Sequence, residues 1–230
     1  MITKSSFRGP KGLAEHILQG SANELIVERH DLSVGGSQDV GLDIANFAAI
    51  GHAHGTKKSL VHISLSPDLA LTNQQESDML GTLRRIYGLS PDHPLSVVQH
   101  RKPGQTIRPD HYHVVVQRVR TDNLLVSSRA SYARNERLSR ELEVDFGHAI
   151  RVGRFSRAVH EALALERPEI ADLVDPTVRA DRQSAATLTV ADMQHARDTS
   201  LDIAKFDQLV LDTYLACRGN PSKMIDGLKS

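Results

Sequence analysis

Tryptophan is absent from this 230-residue chain, and with five Phe and four Tyr the aromatic content is only 4%. Aromatic stacking therefore supplies little cohesion, and a core must come from aliphatic side chains. One cysteine, Cys217, excludes an intramolecular disulfide and a cysteine-rich zinc site, and fits a reducing compartment. No apolar run approaches the roughly 20 residues of a membrane span. No membrane insertion is expected, and Met1 to Lys11 is basic without a following signal-peptide core, which points to the cytoplasm. Net charge is also missing, 28 basic residues balancing 28 acidic ones, so the chain as a whole exerts no pull on a polyanion. The length fits one domain with an appended segment, or two small ones.

What the chain does have is histidine, 12 in all. In His111-Tyr112-His113 followed by Val114-Val115-Val116, the valines predict a strand, and residues i and i+2 of a strand leave the same face. Two neutral imidazoles side by side suit a divalent metal. Upstream, Val97-Val98-Gln99-His100 predicts a second strand, joined by a loop from Arg101 to Asp110 that carries Pro-Gly and Arg-Pro breakers. Antiparallel pairing would bring His100 to His111 and His113 and close a three-histidine set. The histidine-triad pattern of nucleotide hydrolases is not met, because Val115 holds its third position. An HxH pair also occurs on half-exposed strands that bind no metal.

Charge is unevenly laid out around this stretch. Between His100 and Arg140 stand nine basic residues against Asp110, Asp122 and Glu136. Such a run suits a phosphate backbone, and it equally serves as a solvated face. A second HxH pair, His52 and His54, falls in the glycine-flanked segment 51–58, expected to be a loop and a less apt chelate. That segment is not a P-loop, since Gly51 to Gly55 is one residue short and Thr56-Lys57 is in reversed order.

Taken in order, residues 1–10 read as an irregular lead-in, and Gly12 to Gln19 as a short helix carrying His16. A strand is expected at 24–30, a helix at about 38–50, and an alternating strand at 59–66 that sets His62 among polar side chains. Thr72 with Gln75 forms a capping-box signature for a helix to Tyr87, closed by Gly88. Strands at 95–100 and 112–119 follow, a short one at 124–127, and an amphipathic helix from Ser131 to Phe146. Beyond Arg151 the pattern predicts short helices over 158–183 and further helices at 189–198 and 202–217. The interleaved order predicts an α+β fold with helices on one side of a largely antiparallel sheet of about five strands, divided into 1–153 and a helical C-terminal segment, 154–230.

The stretch HYHVVVQRV with the helix YARNERLSRELEVDFG resembles the histidine motif of the relaxase, or plasmid mobilization nuclease, family of the HUH endonuclease superfamily. GLAEHILQGSANELIVE and KKSLVHISLSPD support the likeness, which covers roughly residues 10–150. The resemblance implies a ferredoxin-like split sheet holding a divalent ion, Mg²⁺ or Mn²⁺, on His100, His111 and His113, with His62 as the substitute ligand. It implies single-stranded DNA at a transfer origin as substrate, held by Arg101, Lys102, Arg108, Arg118 and Arg120, and other conjugation or mobilization proteins as partners. Asp110 and Glu24 would orient the ligands or the nucleophile. The family's N-terminal tyrosine has no counterpart before Tyr87; His16 stands in its place, and an imidazole can attack phosphorus. Tyr112 alternates away from the metal face, and Tyr132 begins another helix. Two other readings stay open: a DNA-binding accessory protein whose His16 is an ordinary helix residue, and a small-molecule metal hydrolase.

Overall fold

The computed structural model describes residues 1–19, 24–107, 109–151 and 153–183. Met1–Gln183 form one compact unit, and the expected helices at 189–198 and 202–217 lie outside the described residues. The elements run β1 (Ile2–Arg8), α1 (Leu13–Gln19), β2 (Leu25–Glu28), α2 (Val40–Ala53), β3 (Leu60–Ser66), α3 (Asn73–Tyr87), β4 (Leu95–Arg101), β5 (Asp110–Gln117), α4 (Ser131–Asp145), α5 (Ser156–Glu166) and α6 (Pro168–Gln183). The expected C-terminal helical segment thus begins with α5 and α6 inside the compact unit. No helix among the described residues is long and apolar enough to cross a membrane.

The fold is α+β, a five-stranded sheet in the order β1-β3-β5-β4-β2 with every neighbouring pair antiparallel. Because β5 runs antiparallel to both β3 and β4, those two are parallel to each other with β5 between them. β3-α3-β4 is therefore a split β-α-β unit, the ferredoxin-like arrangement. Local chemistry sets the ends of its helix. Thr72 and Gln75 complete the capping box at the start of α3, and Gly88 closes it at φ 65°, a left-handed value that glycine adopts without strain.

Helices cover both faces of the sheet, where the sequence suggested one. On one face, Val61, Ile63, Val97, Val114 and Val116 pack with Met79, Leu83, Leu138 and Leu142 of α3 and α4. On the other, Leu60, Val98 and Val115 pack with Leu13, Ile17, Val40, Ile44 and Phe47 of α1 and α2. The unbroken Val114-Val115-Val116 run is the trace of a central strand buried on both sides. Two strand expectations also change. Residues 2–8, read as irregular, form edge strand β1, and the strand expected at 124–127 is only an isolated bridge between Val119 and Leu125.

Candidate functional site

Alternation along three central strands gathers histidines on the face shared with α1. His100 pairs with His111 across β4 and β5, Val98 with His113, and His113 in turn with Ser64 of β3, one alternation from His62. The rings of His111 and His113 lie 4.3 Å apart between centroids, His100 and His113 4.4 Å, and His62 and His113 5.1 Å and stacked. His16 comes from α1 and stands edge-on, 5.8 Å from His113 and 6.2 Å from His62. His62, His100 and His113 are buried, His111 half-buried and His16 exposed.

Burial sets the charge state of this cluster. It is the largest cause that lowers His62 to about 4, His111 to about 4 and His113 to about 2, and the neighbouring histidines add to it. All three rings are therefore neutral at pH 7, the form that ligates a metal. His62 Nε2 lies 2.8 Å from His113 Nδ1, one nitrogen donating and the other accepting. Two imidazoles held in neighbouring positions by one ion at ~2.1 Å would stand about 3 Å apart, so this pair is already close to a ligating separation. Among the described residues no three His, Cys, Asp or Glu side chains are converged as a finished metal set. The chemistry of the donors fits an ion; their convergence is incomplete.

His100 differs from its neighbours. Its Nε2 donates to the Ile17 carbonyl at 2.7 Å, and its Nδ1 faces Glu24 Oε2 at 3.4 Å. Both nitrogens face oxygen, which turns His100 away from the ligand role expected of it and leaves His62, His111 and His113 as the residues that would hold an ion. Glu24 lies on the histidine side, between His100 and Lys102, whose Nζ is 3.7 Å away. Asp110 does not. It leaves the opposite face of β5 and accepts from Arg101 Nε at 2.9 Å, while its Oδ2 is buried without a hydrogen bond.

The expected DNA contacts are largely spent on the fold itself. Arg101 is tied to Asp110, and Arg120 to Asp122 at 2.7 Å. Arg118, near the far end of β5, lies over the Phe7 ring and donates to the Lys58 and Val126 carbonyls. Arg108 lies outside the described residues. The second HxH pair is also no chelate: His52 lies in the last turn of α2 and His54 is its C-cap, and two-residue spacing on a helix points side chains apart. His54 Nε2 bonds the Asn123 carbonyl at 2.9 Å.

The sequence reading missed β1, whose Lys4, Ser6 and Arg8 share the histidine face, Ser6 standing opposite His62. The facing set, Thr3, Ser5 and Phe7, is mostly polar, so no apolar alternation marked the strand. No protein-family model, no curated protein and no solved structure matches the chain.

Proposed function

We propose that this chain is a metal-dependent, relaxase-like strand transferase that cleaves one phosphodiester of single-stranded DNA and remains joined to the 5′ phosphate. The reading rests on one observation: an exposed histidine on α1 stands over a bed of buried, neutral histidines on the sheet. His62, His111 and His113 would hold the divalent ion. When bound, it would offset the charge that builds on the non-bridging phosphate oxygens.

His16 acts as the nucleophile in its unprotonated form. One ring nitrogen attacks phosphorus, and the N–P bond forms as the P–O3′ bond breaks. The 3′ oxygen takes up one proton and leaves as a hydroxyl, while the phosphorylated ring releases one. His100, held by Ile17 and Glu24, keeps the β4 side of the cluster in place. Lys102, beside Glu24, is near enough for its charge to act on His111.

The test is a covalent-adduct assay on labelled single-stranded origin-region DNA, resolved on a denaturing gel. Wild type with Mn²⁺ gives a retarded band, and His16→Ala and His111→Ala both abolish it. Mg²⁺ supports less product, because an all-imidazole set suits Mn²⁺ better than an oxygen-preferring ion. A band that survives His16→Ala moves the nucleophile elsewhere. Salt-sensitive binding with no band under any metal replaces this reading with the accessory protein.

A further inference from the structure

β1 has two chemically different faces. Thr3, Ser5 and Phe7 point to the opposite face and are used there: Thr3 accepts from Ser139 of α4 at 2.8 Å, Ser5 from Asn135 of α4 at 3.0 Å, and Phe7 lies beneath Arg118. Lys4, Ser6 and Arg8 point to the histidine face. Lys4 and Ser6 are exposed, and Arg8 is half-buried with one donor on the Lys11 carbonyl at 3.2 Å.

Two features separate this edge from Arg101, Lys102 and Arg120 of the expected DNA-binding set. First, its register leads straight into the cluster. Lys4 pairs with Ser64, which pairs with His113, and Ser6 pairs with His62. Lys4 is thus two strand spacings, roughly 10 Å, from the His113 backbone. Second, neither Lys4 nor Arg8 has a carboxylate partner among the described residues, whereas Arg101, Lys102 and Arg120 are all paired. Arg8 is near enough that its charge helps to lower His62. Between the two cations on this face of β1 stands Ser6, a short donor, with Ser64 beside Lys4 on β3.

We propose that β1 is the track on which the sugar-phosphate backbone of single-stranded DNA approaches the histidine site. Lys4 and Arg8 each neutralise one phosphate, and the Ser6 and Ser64 hydroxyls donate to non-bridging oxygens. This inference rests on the reading of the histidine cluster as a phosphodiester site. The structural alternative for Lys4 is an edge-strand charge that blocks sheet-to-sheet association, a role indifferent to DNA.

The experiment is fluorescence anisotropy of the full chain with a fluorescein-labelled, mixed-sequence single-stranded 20-mer, in chelator, across a salt series. Each phosphate contact contributes about 0.7 to the slope of log affinity against log salt on single strands, so Lys4→Ala/Arg8→Ala lowers the slope by about 1.4 and weakens binding on the order of tenfold. Arg157→Ala, an exposed arginine on α5, leaves both unchanged. If the double variant melts early, Lys4→Ala alone lowers the slope by about 0.7. An unchanged slope in a folded variant, with wild type still binding, overturns the track and spares the proposed activity. Absence of wild-type binding overturns both.

Discussion

A histidine ring buried among other histidines resists protonation, since water no longer solvates its charge and its neighbours repel it. His62 and His113 are in that position, lowered to about 4 and about 2 from an ordinary value near 6.5. In the unfolded chain both rings take up protons below 6.5, and in the folded chain they do not. Protons therefore bind these two rings in the unfolded state in excess as pH falls from 6.5 toward 4, so the stability they contribute to the metal-free protein is fully present above 6.5 and is lost across that window. At about 1.4 kcal/mol per unit the loss is on the order of 3 kcal/mol for His62 by pH 4. Urea midpoints in chelator at pH 7.5, 6 and 5 measure it, and His62→Gln should flatten the slope. A midpoint that does not move between pH 7.5 and 5 would show that the rings are not desolvated.

At the scale of elements, α5 shows how a helix start can be supplied from elsewhere in the chain. Its N-cap, Phe155, has no side-chain hydrogen bond to offer. Glu136 of α4 does the work instead, accepting from the Phe155 amide at 2.8 Å and from the Ser156 hydroxyl at 3.1 Å. A Cβ on Gly153 would fall 2.1 Å from the Glu136 carboxyl carbon, so glycine is what allows the approach. Glu136→Ala should cost about 1–2 kcal/mol, the range of a lost N-cap, and speed exchange of the Phe155 amide. Equal stability with unchanged exchange would place the cap elsewhere. The α3 cap was legible in the sequence because Thr72 and Gln75 are three residues apart, whereas this one joins residues 19 apart and leaves no local pattern. β1 escaped for a different reason. Neither of its faces is an apolar stripe: one is bonded to α4 through hydroxyls and the other is left to solvent, so the hydrophobic alternation that marks a half-buried strand is missing.

Over the whole molecule the sheet divides polar chemistry from structural support, and Tyr112 is where the two meet. Alternation made the histidine face readable from His111 and His113, and it also foretold that Tyr112 would turn away. The counted arginines were less readable, because a count of charges does not reveal that Asp110 takes Arg101 or that Asp122 takes Arg120. On the supporting face, Tyr112 is fully buried and its hydroxyl donates to Glu76 at 2.6 Å, while Glu76 also receives Arg29 at 2.7 and 2.8 Å. Burial and the Glu76 carboxylate push the Tyr112 hydroxyl well above its ordinary range, so it holds its proton. Among the described tyrosines, Tyr87 is also bonded on that face, to Asn135, and Tyr132 is exposed on α4 against Phe155. If His16 is the nucleophile, Tyr112→Phe should leave adduct formation intact while costing about 2 kcal/mol, the worth of a hydrogen bond to a charged acceptor. Both are read on one preparation, by denaturing gel and urea midpoint. Loss of the adduct in a folded Tyr112→Phe protein would reverse the assignment, making the tyrosine between the two histidines the attacking group and requiring β5 to turn that side chain through the sheet.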